Sequence, residues 1–238
     1  GLSITTGNTN TLIGGSSGDA LTSADRNVAV GYNALSTETL GERNVAMGYG
    51  SLANQNNTSS TSPYNVAVGY NAGNDITTGS SNTLIGGLAG DALTTGVDNT
   101  AIGLAALGSE TGGNYNVAVG KSTLVAQNQN GTGYNTAVGY EAGNDVTTGE
   151  QNTLIGALAG DALTDADYNT AIGQQALTSE TKGNRSTAIG RGALASQNFT
   201  SSTDANNTAV GFGAGNVLTD GCLNGTFIGY QAGLNTTG

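Results

Sequence analysis

One apolar pattern recurs along these 238 residues. Asn135-Thr136-Ala137-Val138-Gly139 is one of thirteen copies of a five-residue motif whose closing glycines run from Gly14 to Gly229. Their spacings are 17, 17, 21, 17, 17, 17, 19, 17, 17, 17, 21 and 18 residues. A short period held over a whole chain predicts a solenoid, in which each repeat buries its apolar residues against its neighbours. The second motif position is Thr or Val, and the fourth is Ile, Val or Met47. Branched residues at alternate positions predict a strand. The third position is Ala in nine copies, Leu in Leu12, Leu84 and Leu154, and Phe in Phe227. Both faces are therefore apolar, as in a parallel sheet covered on both sides. The expectation is that the branched face fills the coil and the small alanine face lies against another copy of the chain.

A cycle of four coils lies over this period and divides a single solenoid domain, 1–238, into three blocks, roughly 14–85, 86–155 and 156–228. Two coil types place Leu four residues after the motif glycine, as at Leu35, Leu107 and Leu194. The other two have Gly there and a large apolar residue three further on, as at Leu21, Ile76 and Leu163. One filler per coil is what a narrow core packed to native density requires. Frequent glycine and the lack of a 3.6-residue stripe exclude helices.

The third coil type is lengthened in every block, over Asn54 to Tyr64, Ala126 to Tyr134 and Ser196 to Asn206. The extra residues are expected to project from one corner, roughly 19 Å apart along the stack. Exposed loops on a rigid scaffold commonly carry binding residues. This makes Gln55, Asn56, Tyr64, Lys121, Gln127, Tyr134, Arg191, Gln197 and Phe199 the candidate contact residues for a repetitive ligand. A tolerated insertion is the plainer reading of the same loops.

Seventeen acidic and six basic residues give a net charge of −11, which argues against nucleic-acid and acidic-membrane partners. No signal peptide or transmembrane run is visible, so any anchor or export signal is expected outside this segment. Cys222 is the only cysteine, which rules out an intrachain disulfide.

The repeated Asn-[Thr/Val]-Ala-[Ile/Val]-Gly resembles the head repeats of trimeric autotransporter adhesins, and similar repeats occur in phage tail-fibre proteins. The likeness runs from Asn10 to Gly229. It implies an all-β, left-handed parallel β-roll, here of about thirteen coils, associated as a homotrimer. The coils are longer than that family's usual head repeat, and no neck, stalk or anchor is present in this stretch.

Enzyme chemistry finds little footing. Without histidine, and with one cysteine, neither a Ser-His-Asp triad nor a Cys/His metal site can be built. Gly211-Phe212-Gly213-Ala214-Gly215 looks like a nucleotide loop but has no helix after it. Asp75, Asp91, Asp145 and Asp161 are oxygen donors that could hold Ca²⁺, although Asp after Gly is also a turn former. No other cofactor is expected. Nine tyrosines flank the motif, either capping corners or offering a platform for sugar rings. The motif asparagines are expected to form a ladder from coil to coil. Glu38 with Gln55, Glu110 with Gln127 and Glu180 with Gln197 occupy the place of a core filler, and are expected to bow outward into solvent.

The resulting expectation is a non-enzymatic, extracellular adhesive rod, on a bacterial cell surface or in a virion tail fibre. It would self-associate as a trimer and bind a host-surface glycan or protein receptor, without inserting into a membrane. A passive spacer is the alternative, followed by an ice-binding solenoid, for which the Thr-Val alternation at the second motif position is a poor match.

Overall fold

The computed structural model describes residues 1–218 and 221–234; residues 219–220 and 235–238, at the end of the expected domain, lie outside them. The chain is a parallel β-solenoid of about thirteen coils, with no helix among the described residues. It divides into two compact units. The first comprises Gly1–Asn116 and Asn128–Gly131, the second Val117–Gln127 and Thr132–Gly238.

In the first unit the motifs form β1 (Thr11–Ile13), β2 (Val28–Val30), β3 (Val45–Met47), β4 (Val66–Val68), β5 (Thr83–Ile85) and β6 (Thr100–Ile102). Each strand pairs in parallel with the next, motif position against motif position. The second unit carries β7 (Val117–Val119), β8 (Thr136–Val138), β9 (Thr153–Ile155), β10 (Thr170–Ile172), β12 (Thr187–Ile189), β14 (Thr208–Val210) and β15 (Thr226–Ile228) in the same register. A short second sheet there pairs β11 (Gly183–Asn184) with β13 (Thr203–Asp204).

The two strand faces are the reverse of the sequence expectation. Ala29, Ala46, Ala137 and Ala188, at the third motif position, are fully buried inside their coils. The branched second and fourth positions point outward and stay partly open, with Met47 at 42% and Ile155 at 38% exposure. The reason is volume. The return segments already bring Leu35, Leu52, Leu107, Leu124, Leu177 and Leu194 into the interior, all fully buried. Opposite such a residue only alanine fits at native density.

The exceptions obey the same constraint. Leu84 is the large third-position residue of β5, and it lies where two coils have glycine instead of a filler. A Cβ on Gly73 would come 2.7 Å from Leu84 Cδ1, and one on Gly90 2.8 Å from its Cδ2. Leu154 fills the space beside Gly143 and Gly160 in the same way. The motif glycines serve a different purpose. Gly139 has φ +143°, and a Cβ there would sit 2.5 Å from the carbonyl oxygen of Gly156 in the next coil. Only glycine permits that approach.

Leu154→Ala should cost about 3 kcal/mol in urea unfolding, because it empties space shared by two coils. Ala137→Glu should abolish the β spectrum altogether, since it buries an unpaired charge. A folded but dissociated Ala137→Glu chain would instead place the alanine face at an interface between copies.

Candidate functional site

The motif asparagines do form a ladder. A side-chain Oδ1 accepts the backbone N–H of the next asparagine, as in Asn82 to Asn65 at 2.9 Å and Asn152 to Asn135 at 2.9 Å, while Ser186 and Gly225 interrupt the row and donate their own N–H to Asn169 and Asn207. The amide groups also bond along the stack, Asn99 Nδ2 to Asn82 Oδ1 at 3.2 Å, and across the coil to carbonyls such as Gly113 at 2.8 Å.

Beside this ladder lie the three glutamates, and they are not on a solvated corner. Glu38, Glu110 and Glu180 are fully buried, as are Gln55, Gln127 and Gln197. Glu38 Oε1 accepts the backbone N–H groups of Thr39, Leu40, Gly41 and Asn57 at 2.7–3.1 Å. Its Oε2 accepts the amides of Gln55 and Asn57 at 2.9 and 2.8 Å. Glu180 is held in the same manner by Thr181, Lys182, Gly183, Phe199 and Gln197. Glu110 takes the N–H groups of Thr111, Gly112, Gly113 and Gln129. Charge-assisted bonds from converging donors offset the desolvation that made burial look prohibitive. Gln55 and Gln197 then tie Glu38 and Glu180 to the ladder: Asn65 Nδ2 donates to Gln55 Oε1 at 2.9 Å, and Asn207 Nδ2 to Gln197 Oε1 at 2.8 Å.

This arrangement redefines the long coils. Asn57, Gln129 and Phe199, each the first residue past its Gln-Asn pair, fold inward and cap a glutamate. The inserted segments therefore do not simply project. The third is pinned further by the β11–β13 pairing, while Thr58–Thr61 and Thr200–Ser202 remain at the surface.

Of the nine proposed contact residues, Gln55, Gln127, Gln197 and Phe199 are thus interior and face no ligand at the surface. Asn56 is half-buried and accepts the Thr39 hydroxyl at 3.0 Å. Tyr64 and Tyr134 are exposed, and the Arg43 guanidinium lies 5.7 Å from the Tyr64 ring centroid. Lys121 Nζ sits 5.6 Å from the Tyr140 ring, and the Arg191 guanidinium 5.4 Å from that of Phe212.

Three of the tyrosines after the motif glycine pack on each other. Tyr32, Tyr49 and Tyr70 stack with centroids 5.5 and 5.6 Å apart. Facing rings hide the surfaces a sugar would cover, leaving mainly edges and hydroxyls outside. The aspartates form pairs rather than cages. Among the described residues no three His, Cys, Asp or Glu side chains come together as a metal site. Partial burial pushes the carboxyls of Asp91 and Asp161 up, with the charges of Asp75 and Asp145 adding to it. Each such carboxyl favours the fold in its protonated form, a contribution that is lost as pH rises through its raised pKa.

A surface groove of about 370 Å³ lies in the second unit. Arg191 and Phe212, one residue after their motif glycines, line it together with Thr178, Ser179, Ser196 and Asn216, five or six after theirs. Between these rows in sequence come Gln175, Gly192 and Gly213, with Ala195 completing the lining. Phe212 is held from both sides, by Arg191 and by stacking on Tyr230 at 5.4 Å. Arg191 Nε donates to Gln174 Oε1 at 3.3 Å, and Thr178 donates its hydroxyl proton to Asp161 at 2.5 Å. Only Arg191 of the loop candidates belongs to this groove. The available signal was the pair of Gly-x-Gly runs, Gly190 to Gly192 and Gly211 to Gly213.

Comparison with family models, curated proteins and solved structures gave no match to this chain.

Glu180→Gln should destabilise the protein by about 2 kcal/mol, because its new amide would turn N–H groups against the donors of Gln197 or the backbone. Thermal unfolding of that variant beside the exposed-site control Asp98→Asn checks the difference. Equal melting temperatures would mean the carboxylate charge is not required.

Proposed function

We propose that this chain is a non-enzymatic segment of an extracellular structural and adhesive fibre, borne on a bacterial cell surface or a virion tail and attaching to a host surface. In this reading each copy is a left-handed roll, and three copies associate about a common axis. The observation that carries the reading is the outward strand face. In each unit it presents rows of Val, Ile and Thr in register, with Ile13, Met47 and Ile85 exposed in the first and Val138, Ile155 and Ile189 in the second. Contiguous exposed apolar rows of this kind mark association surfaces. The likeness of the motif to trimeric autotransporter heads supports three copies meeting there, through the branched face rather than the alanine face. A passive shaft would share the rows but would have no use for a polar groove, which favours attachment.

Light scattering on the purified chain should give three times its 23.4 kDa mass. Val138→Lys with Ile155→Lys should return a monomer with an unchanged β spectrum. A wild-type monomer across the micromolar range would overturn the trimer.

A further inference from the structure

We infer that the groove at Gly192 and Gly213 is a saccharide subsite, selective for a pyranose that carries a carboxylate. This names a ligand class for the attachment role above, and its test reads binding rather than oligomeric state.

The first ground is the backbone. Position two after the motif glycine is left-handed in every coil, yet ten coils place a side chain there. Leu88, Glu141, Leu158, Gln175 and Gln231 hold φ values of 56, 53, 56, 58 and 50°. Gly192 and Gly213, at 65 and 60°, have the same conformation, so the backbone does not demand glycine. Nor does packing at Gly192. At Gly50, the third glycine in this row, a Cβ would strike Asn71 Oδ1 at 2.3 Å; at Gly192 it would meet nothing within 4 Å. The missing side chain at Gly192 leaves room that the chain itself does not use, and the next coil also has glycine there, where a Cβ would meet Gln231 Cγ at 3.5 Å.

The second ground is the lining. Hydroxyls and amides of Thr178, Ser179, Ser196, Asn216 and Gln175 offer both donors and acceptors, as a polyhydroxylated ring requires. Thr178 gives its proton to Asp161, so its oxygen presents lone pairs to a ligand hydroxyl. No carboxylate lines the groove, and Arg191 is its only charge. Lys182 and Arg185 of the same unit pair with Asp165 and Asp204, whereas Arg191 makes no salt bridge among the described residues. Its Nε is bound to Gln174 and its plane to Phe212, which leaves the terminal Nη groups for a carboxylate. Both aromatic faces of Phe212 are covered, so recognition runs through polar edges and one charge rather than ring stacking. The volume, near the lower end of the roughly 300–1,000 Å³ typical of small-molecule sites, suits a small sugar.

Saturation-transfer NMR and calorimetry on the full chain would use methyl glucuronide, with methyl glucoside as the neutral control. The glucuronide should bind with a Kd of roughly 1 mM, and the glucoside roughly tenfold more weakly. Arg191→Gln should erase that difference. Gly192→Gln installs the residue that Gln175 and Gln231 already carry at this position, so the β spectrum should persist while glucuronide binding falls at least about tenfold. Asn216→Ala, on the groove's edge, should weaken binding of both sugars and gives a second reading should Gly192→Gln fold poorly. No glucuronide binding, equal binding of the two sugars, or undiminished binding by Gly192→Gln and Asn216→Ala would overturn the assignment.

Discussion

Each coil hands its polar groups to the next, and this transfer governs the rest of the fold. An asparagine Oδ1 satisfies the backbone N–H of the following asparagine, and its amide crosses the coil to a carbonyl. The bond works only if successive coils keep one register and one spacing. The motif glycines permit that spacing by letting backbones approach where any Cβ would collide. With the spacing set, the interior has nearly constant width, and side-chain volume must balance within and between neighbouring coils. Leu84 between Gly73 and Gly90 is that balance at its most literal.

The glutamates show how the ladder accommodates a longer coil. Three backbone N–H groups just after the glutamate in its own coil converge with a fourth from the lengthened coil, as Thr39, Leu40 and Gly41 do with Asn57. An apolar filler would leave them unsatisfied, at a cost of about 1–3 kcal/mol each. A carboxylate accepts them together, and a glutamine from the next coil links it to the asparagines, as Gln55 links Glu38 to Asn65. Asn57, Gln129 and Phe199 then seal the carboxylates from water. The polar interior and the long coils are therefore one feature.

Against so regular a scaffold, a departure in the surface rows is informative. Tyr32, Tyr49 and Tyr70 continue a row and spend their faces on each other. Gly192 and Gly213 interrupt one, and the groove follows from the interruption, with Arg191 and the hydroxyl row left to line it. The outward Val, Ile and Thr rows, by contrast, are continuous within each unit. Continuous rows suit association with another copy; an interrupted row suits a small ligand.

The motif and its spacing by themselves determined the solenoid, the parallel register, the asparagine ladder and the fillers at Leu35, Ile76 and Leu163, because each depends on local periodicity. Which strand face points inward was decided by tertiary structure. Apolar alternation at Val-Ala-Val is symmetric until the opposing leucines are in place, and only their volume selects alanine. Likewise Glu38 reads as a surface residue until Gln55 and Asn57 of the next coil join the local N–H groups of Thr39, Leu40 and Gly41 around it, since no sequence pattern announces donors contributed by a different coil. The left-handed leucines, such as Leu35 at φ +50° and Leu124 at +49°, belong to the same class. That conformation costs an L-residue roughly 1–2 kcal/mol. It persists because burying the leucine and bonding its N–H to the next coil, Leu35 to Ser51 and Leu124 to Ala142, outweigh the local cost.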